Sequence, residues 1–226
     1  MGRPRDFDVD QALDRALAVF WRKGYEGASL SDLTRAMRIN RPSLYAAFGN
    51  KEALFRKVLD RYAEGPAAYV REALAEPTAD AVVERLWRTA IDRLTDPLSP
   101  RGCLMVQSAL ACGDEAEPVR REVAARRAAV VVALRERFAR AVAEGDLPAR
   151  AEPDALARYV AAVNYGMAVQ AADGASRDEM EQVVEMALRT WHGELTAGGR
   201  ASRSAGPGDP SQRASGVART ARVKDG

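Results

Sequence analysis

The feature that most constrains the fold is a pair of short amphipathic segments separated by a tight turn, within residues 29–51. Ser29 is placed to cap the first segment, and Asp32, three residues on, completes a capping box. Asn40 is a good cap for the second segment, and Pro42 lies in its first turn, where a missing N–H costs nothing. Both segments have apolar residues at helical spacing, namely Leu30, Leu33 and Ala36 in the first and Leu44, Ala47 and Phe48 in the second. The sequence therefore predicts two short helices with a common buried side.

The second of these helices has polar residues on its outward side. Arg41, Ser43, Tyr45 and Ala46 are left there once the apolar stripe is buried. In helix-turn-helix proteins the N-terminal residues of the second helix enter the major groove, and Arg and Ser are suited to contacts with base edges. The pattern is typical of a DNA-reading element.

Two further helices are predicted on either side of this pair. Asp8 is placed to cap a helix that ends near Gly24, with Gln11 at the capping-box position. Asn50 is placed to cap another helix, which begins at Lys51. Its apolar face consists of Leu54, Phe55, Val58, Leu59 and Tyr62. Three helices around one small core are expected, with a fourth helix leading away.

Two stretches of this segment resemble the DNA-binding domain of the TetR family of bacterial regulators. They are Gly-Tyr-Glu-Gly-Ala-Ser-Leu-Ser-Asp-Leu at residues 24–33 and Asn-Arg-Pro-Ser-Leu-Tyr-Ala-Ala-Phe-Gly-Asn-Lys-Glu-Ala-Leu-Phe at residues 40–55. The resemblance implies an all-α fold, with an N-terminal three-helix helix-turn-helix DNA-binding domain at residues 1–49. A larger helical ligand-binding and dimerisation domain would follow at residues 50–195. The family's members are homodimers that bind palindromic operators and release DNA when a small molecule binds.

The resemblance also assigns DNA contacts to individual residues. Ser29 and Lys51 would bind phosphate, which helix N-termini and Lys suit on physical grounds as well. Tyr45 would lie against the DNA backbone. The predicted DNA-binding set, including an N-terminal arm, is Arg3, Arg5, Ser29, Arg41, Pro42, Ser43, Tyr45 and Lys51.

Two positions depart from the family pattern. Members commonly carry Gly in the turn where this chain has Arg38. Either Arg38 is forced to positive φ, at a cost of roughly 1 kcal/mol, or the turn closes differently. Many relatives place His or another aromatic residue at the position of Ala46. We expect Tyr45, Lys51 and the N-terminal arm to carry more of the backbone anchoring here.

Charge is distributed unevenly along the 226 residues. Residues 1–61 have 12 Lys and Arg against 8 Asp and Glu, residues 62–195 have 16 against 22, and residues 196–226 have 6 against 2. A basic end that carries a helix-turn-helix is the expected electrostatic footprint of DNA binding, whereas the acidic middle argues against nucleic acid wrapping the whole molecule. The last segment is rich in Gly, Ala, Ser, Arg and Pro, and is predicted to be a disordered basic tail.

Beyond Tyr62 the sequence remains helical in pattern, with residues 101–110 apolar almost all round and therefore predicted to form a central helix. Polar or soft side chains on the apolar helices are candidates for lining a ligand pocket, although each is also compatible with a core or interface position. They are Trp87, Met105, Gln107, Ser108, Tyr159, Asn164, Tyr165 and Met167. Such walls suit a mostly apolar small molecule with one or two polar groups.

The last two predicted helices, at residues 153–172 and 176–195, each carry an apolar stripe. By the resemblance they form the interface of a two-fold dimer, for which the predicted residues are Leu156, Val160, Val163, Val184, Leu188 and Trp191. The alternative is that both stripes cover only the core of their own chain.

Other features of the sequence limit the classes of function. No stretch resembles a signal peptide or a transmembrane span, so we expect a cytoplasmic protein. Cys103 and Cys112 would lie about 13 Å apart on one helix, so they are expected to be free thiols rather than a redox switch. His192 stands without a cluster of metal ligands and is expected to interact with a helix C-terminus, and no metal or cofactor is predicted.

The sequence favours a ligand-responsive, sequence-specific repressor that binds a palindromic operator as a dimer. The partners would be double-stranded DNA, a second copy of the chain and an unidentified small-molecule effector, with no membrane. An enzyme is disfavoured because the chain has no P-loop, no Gly-x-Ser-x-Gly elbow and no His-Glu-x-x-His motif. A ligand-independent architectural DNA-binding protein and a transcriptional activator remain alternatives.

Overall fold

A computed structural model describes residues 7–108 and 113–196, and in these ranges the chain forms ten α-helices and no strand. The all-α prediction is confirmed. The helices are α1 (Val9–Gly27), α2 (Leu30–Met37), α3 (Arg41–Phe48), α4 (Lys51–Glu64), α5 (Ala68–Leu74), α6 (Ala79–Leu94), α7 (Leu104–Gln107), α8 (Glu117–Glu144), α9 (Pro153–Ala172) and α10 (Arg177–Thr196). A single 3₁₀ turn, Asp114–Ala116, precedes α8. None of the described helices is both long and apolar enough to cross a membrane.

The first hydrophobic core is built by helices α1 to α4. The predicted apolar face of α4 is buried in full, and the rings of Phe20 and Phe55 meet edge to face with centroids 4.9 Å apart. Helix α4, which the sequence-based division placed at the start of the second domain, therefore contributes its buried side to the first core. Three residues from later in the chain also join this core, namely Leu104, Val119 and Val123.

Helix α1 is interrupted where the sequence predicts its end. Gly24 has φ 69° and ψ 179°, a conformation that favours glycine, and one further turn continues to Gly27. The capping prediction at the start of α1 is half correct. Asp8 accepts a hydrogen bond from the backbone N–H of Gln11 at 3.1 Å, but the Gln11 side chain accepts one from Arg15 instead of completing a capping box.

The second core lies among α5, α6, α8, α9 and α10. Its largest fully buried side chains are Trp87, Phe138 and Trp191, and Phe138 packs on Trp191 with ring centroids 5.3 Å apart. Helix α6 begins after Thr78, whose side chain accepts a hydrogen bond from the Ala81 N–H. Helix α8 ends at Gly145, which has φ 78°.

The predicted central helix at residues 101–110 is wrong in extent. Within the described residues only the single turn Leu104–Gln107 is helical, because Gly102 has φ 81° and Cys103 has an extended backbone. Several other predictions fall outside the described residues, so the structure does not bear on them. They are Arg3 and Arg5, Cys112, and nearly all of the basic tail at residues 196–226.

Candidate functional site

The start of helix α2 carries the predicted capping box. Ser29 Oγ accepts a hydrogen bond from the Asp32 N–H at 3.0 Å, and Asp32 Oδ2 accepts one from the Ser29 N–H at 3.2 Å. Lys23 Nζ lies 2.9 Å from Asp32 Oδ2. The hydrogen bonds from Lys23 and then Ser29 lower the pKa of Asp32 to about 2, so this carboxylate is ionised at neutral pH. These bonds determine the residue at which α2 begins.

The turn between α2 and α3 closes with Arg38 in the left-handed conformation, at φ 58° and ψ 41°. Arg38 is the one residue other than glycine with positive φ in the part of the chain that the structure describes. Its N–H bonds to the Arg35 carbonyl at 3.3 Å, and the Ile39 N–H bonds to the Thr34 carbonyl at 3.1 Å. The first of the two expectations for Arg38 is confirmed: the turn keeps its glycine-like geometry and strains an arginine.

Helix α3 presents the face that the sequence predicts. Arg41, Pro42 and Tyr45 are exposed, with Tyr45 at 49% of its full accessibility, and Ser43 is half-buried. Leu44 and Phe48 anchor the opposite side in the first core. Asn40 Oδ1 caps the helix by accepting the Ser43 N–H at 2.8 Å.

Helix α3 is also tied to α2 through its first residue. Arg41 Nη2 donates to Ser31 Oγ at 3.1 Å, which holds the guanidinium at the rim of the surface. Sequence reasoning missed Ser31, and no spacing rule would have found it, because the contact depends on the angle between the two helices.

Lys51 lies at the start of α4, whose first turn is capped by Asn50 Oδ1 accepting the Ala53 N–H at 2.7 Å. The Lys51 ammonium is 4.5 Å from the centroid of the Tyr25 ring and 3.5 Å from the Glu26 carbonyl oxygen. The Lys51 ammonium is thus held over an aromatic face, beside a helix N-terminus.

Two cavities lie farther along the molecule, where α4, α5, α8, α9 and the segment before α7 come together. Their volumes are about 210 and 370 Å³. Five residues line both cavities, namely Tyr62, Tyr69, Cys103, Asn164 and Tyr165. The smaller cavity is also bounded by Trp21 and Arg93, and the larger by Met105 and Arg127.

The predicted ligand residues divide between this region and other places. Met105, Asn164 and Tyr165 line the cavities, so for them ligand contact stays a prediction. The remaining five residues do not line either cavity. Trp87, with its Nε1–H donated to the Val160 carbonyl at 3.2 Å, and Met167 are buried in the second core.

Gln107 is exposed, Ser108 is buried beside α1 with its carbonyl accepting the Tyr25 N–H at 3.4 Å, and the Tyr159 hydroxyl donates to the Ala187 carbonyl at 3.2 Å. The sequence predicts ligand contact for Gln107 and Ser108 because they are polar positions on the predicted central helix, and for Tyr159 because it is a polar position on α9. The residues that sequence reasoning missed are Tyr62, which had been assigned only to a core face, and Tyr69, on a helix too short for its periodicity to be read.

Burial sets the protonation states of the tyrosine and cysteine side chains that line both cavities. It raises the pKa of Tyr62, Tyr69 and Cys103, and it raises the pKa of Tyr165 to about 12. The Tyr62 hydroxyl donates to Cys103 Sγ at 3.3 Å, and the Tyr165 hydroxyl donates to the Arg127 carbonyl at 3.2 Å. The phenols are therefore neutral hydrogen-bonding groups, and the Cys103 thiol is a weak nucleophile.

The segment around α7 connects these cavities to α1. Trp21 Nε1 donates to the Gly102 carbonyl at 3.0 Å, and Glu26 Oε1 accepts the Gly113 N–H at 2.7 Å. Arg126 of α8 pairs with Asp60 of α4 at 2.7 Å. Helices α1 and α4 of the first core are thus bonded to the segment around α7 and to α8.

Four of the six predicted dimer residues lie in the core of their own chain. Val160 and Val184 are 0% exposed, Trp191 is 1% exposed and Leu188 is 6% exposed. Their stripe is the side of each helix that faces α6 and α8, and for these four residues the interface role stays a prediction. Leu156 and Val163 are only partly buried.

His192, predicted to interact with a helix C-terminus, lies with Nε2 2.7 Å from Asp80 Oδ1 at the start of α6. Asp80 Oδ1 also accepts the Trp191 Nε1–H at 3.1 Å. Within residues 7–108 and 113–196, no three His, Cys, Asp or Glu side chains are grouped so as to hold a metal ion.

These features define a helix-turn-helix DNA-binding protein with a second, cavity-bearing helical region. Residues 12–58 match the family model of the bacterial regulatory proteins of the tetR family, and residues 81–187 match the model of the tetracyclin repressor-like C-terminal domain. The chain belongs to the TetR family of transcriptional regulators, and its recognition from the sequence is confirmed.

Individual relatives agree with this assignment. The chain is 33% identical over 192 residues to the HTH-type transcriptional repressor ComR of Escherichia coli, covering 84% of this chain and 91% of ComR. It is 47% identical to the TetR family regulator CifR, solved as a cysteine mutant with a 26-base-pair operator, with a TM-score of 0.81 and coverage of 84% and 100%. A TetR regulator from Rhodococcus is 42% identical, with a TM-score of 0.55 and coverage of 81% and 98%.

Proposed function

We propose that the protein is a ligand-responsive repressor that binds a palindromic operator as a homodimer. The observation that carries this proposal is the exposed face of α3, held by two capped helix starts, together with cavities whose walls are bonded to the same DNA-binding helices. The resemblance to ComR, a repressor, and to CifR, solved on operator DNA, supports it.

DNA recognition is assigned to residues on and around α3 that the structure leaves exposed or half-buried. Arg41, Pro42 and Ser43 would approach base edges, because the N-terminal residues of a recognition helix enter the major groove. Tyr45 and Lys51 would contact the backbone, together with the start of α2 at Ser29 and, by the family resemblance, Arg3 and Arg5.

The dimer contact is assigned to the outer sides of α9 and α10. The apolar side chains left exposed there are Val169 and Met186, the latter at 60% of its full accessibility, and Val163 and Val183 are partly buried. Burying them against a two-fold partner would remove this apolar surface from water. Behind this interface, the core of each chain would contain Val160, Val184, Leu188 and Trp191.

Release of DNA is assigned to a change in the spacing of the two recognition helices. A ligand between Tyr62 of α4 and Asn164 of α9 would shift α4, and the bond between Trp21 and Gly102 would carry the change to α1. A coupling free energy of about 1–3 kcal/mol lowers operator occupancy roughly 5- to 150-fold.

The test of DNA binding is a titration onto the DNA that flanks the protein's own gene, at two salt concentrations, with random duplex as competitor. We expect tight binding to a palindrome at two chains per operator. Arg41→Ala should relax base preference at one position, whereas Lys51→Ala should weaken all sequences alike and reduce the salt slope by about one. Arg140→Ala, an exposed change on α8, is the matched control and should leave binding unchanged.

Equal losses on operator and random DNA for both α3 and α4 variants would contradict the assigned roles. Ligand response is tested separately by thermal unfolding against a panel of metabolites, since a ligand that binds only the folded state raises the midpoint. A compound that raises the midpoint and also releases the operator would support the proposal. An architectural protein would show operator binding that no ligand changes.

A further inference from the structure

Tyr69 and Asn164 form an unsatisfied polar pair in the wall that both cavities share. Asn164 Nδ2 donates to the Tyr69 hydroxyl at 3.4 Å, a long hydrogen bond. Asn164 Oδ1 has essentially no solvent contact and accepts no hydrogen bond in the described residues. A buried amide oxygen without a donor is costly, so the wall is incomplete until something donates to it.

The pair offers one donor and one acceptor side by side. With the amide as described, the Tyr69 O–H is free to donate and Asn164 Oδ1 is free to accept. If the amide is turned over, Tyr69 donates to Oδ1, and the free groups are an amide N–H and a lone pair on the phenol oxygen. Because the amide has two N–H bonds, each orientation leaves at least one donor beside at least one acceptor. Burial raises the pKa of Tyr69, which keeps its proton in place at neutral pH.

The other polar groups that are at least partly buried in the walls are already engaged, and the two other cations there, Arg71 of the larger cavity and Arg93 of the smaller, are exposed. Tyr62 donates to Cys103, and Tyr165 donates to the Arg127 carbonyl. Arg127 Nη1 donates to the Met105 carbonyl at 2.6 Å, and Arg126 is paired with Asp60 and Glu122, each at 2.7 Å. Of the described residues that line the two cavities, none is Asp or Glu, so nothing there compensates a cationic ligand.

We propose that the effector is a small, largely apolar molecule with a hydroxyl group, an alcohol or a phenol, which binds at Tyr69 and Asn164. A hydroxyl both accepts and donates through one atom, so a small rotation of the Asn164 amide toward the cavity would let it complete both free groups of the pair. An ether, ester or carboxylate only accepts, and an ammonium group only donates, so each leaves one group unpaired. This inference rests on the proposed function, because it identifies the chemical class of the ligand at the proposed effector site.

The test uses a matched set of two-ring aromatic probes, which are of a size for a cavity of about 370 Å³. Calorimetric titration of the full-length protein compares β-naphthol, its methyl ether, naphthalene, β-naphthoate and β-naphthylmethylamine at neutral pH. We expect β-naphthol to bind at least about ten-fold more tightly than the ether and naphthalene, since each of these leaves a buried group unsatisfied.

Substitutions locate the preference at the pair. Tyr69→Phe and Asn164→Leu each keep the shape of the side chain and should remove the advantage of β-naphthol over naphthalene while leaving naphthalene binding intact. Tyr159→Phe makes the same chemical change outside both cavities and should leave the preference unchanged. Operator binding without a probe shows that each variant is folded.

Three results would overturn the inference: tightest binding of β-naphthoate, equal binding of β-naphthol and naphthalene, or no binding of any probe at millimolar concentration. Operator release is read separately. A variant-sensitive preference for β-naphthol without DNA release would support the ligand class and contradict the proposed mechanism of derepression. Operator binding without any preference among the probes would contradict the ligand class and leave the DNA-binding part of the proposed function supported.

Discussion

The DNA-binding helices and the later helices are fixed in place by different means. Each of the helices α1 to α4 has a side-chain cap, and the capping residues are Asp8, Ser29, Asn40 and Asn50. Farther along, Thr78 caps α6 and Ser176 bonds the start of α10, but the described starts of α5, α7, α8 and α9 have no side-chain cap. Local sequence fixes the first group of helices, whereas packing and Pro at the first turns of α8 and α9 position the second.

The two regions also differ in what they bury. In the first core the aromatic rings of Phe20, Tyr25 and Phe55 pack on one another, with Phe20 and Tyr25 stacked and Phe55 edge-on or tilted to them. The second region buries Arg137 and surrounds its cavities with phenol and amide groups. A surface that reads DNA needs helices held in one geometry, whereas a cavity that responds to a ligand needs contacts that the ligand completes.

The largest expected effect tests whether the two cores are independent. Phe20→Ala and Phe138→Ala each remove a fully buried ring, and each should destabilise the protein by about 3–5 kcal/mol. Because Leu104, Val119 and Val123 pack into the first core, both substitutions should lower one shared transition. Denaturant unfolding followed by circular dichroism and by tryptophan fluorescence measures this. Two separate transitions would show that the cores unfold independently.

The difference in capping between the two groups of helices can be tested by deleting a cap in the first group and adding one in the second. Asn50→Ala deletes the cap of α4 and should cost about 1 kcal/mol, whereas Asn50→Asp keeps the acceptor and should cost little. Glu152 occupies the cap position of α9 with extended backbone but makes no cap hydrogen bond, so Glu152→Ser should stabilise by about 0.5–1 kcal/mol. Thermal and denaturant unfolding at fixed protein concentration provide the comparison. A loss of stability in Glu152→Ser would mean that packing alone already sets this helix start.

The strained turn of the DNA-binding region predicts a gain of stability. Arg38→Gly removes the penalty of a left-handed arginine and should stabilise by up to about 1 kcal/mol, part of which the greater freedom of unfolded glycine offsets. Arg38→Ala keeps a Cβ atom at the same φ and is the control, with no expected gain. Equal midpoints for the glycine and alanine variants would show that the turn carries no strain.

The sequence was most informative where structure is local. The caps at Ser29, Asn40 and Asn50 lie within four residues of their partners, so their spacing predicted the starts of α2, α3 and α4 correctly. The left-handed turn at Arg38 was anticipated as one of two possibilities, from the glycine that relatives carry there. The faces of these helices followed from periodicity alone.

The sequence was less informative where partners are distant. The apolar run at residues 101–110 has the composition of a buried helix, but Gly102 and the contact of Trp21 with its carbonyl hold the start of the run in an open conformation. Tyr69 and Asn164 are 95 positions apart, and their pairing depends on how α5 meets α9. The stripe of Val160 and Trp191 is apolar whichever side it faces, so it did not distinguish a dimer contact from the chain's own core.

The smallest expected effect is a pH dependence that differs between the regions. The pKa of Asp32 is about 2 in the folded chain against 3.8 ordinarily, so its stabilisation is present above about pH 4 and is lost as the pH falls toward 2. Asp32→Asn should therefore flatten the fall of the unfolding midpoint between about pH 4 and pH 2. In the later region, the Leu98 N–H and the Ser99 hydroxyl lower the pKa of Asp96, so Asp96→Asn should act in the same direction.

Asp32 should show the larger change, because Lys23 adds a charged partner to a capping box that already holds the carboxylate. Lys23→Met tests this point: it should reduce the difference between the wild type and Asp32→Asn, whereas Arg93→Met, near Asp96, should not affect Asp32. An unchanged acid limb in Asp32→Asn would mean that the capping box contributes equally in both protonation states. In that case helices α1 to α4 would owe their positions to packing, as the later helices do.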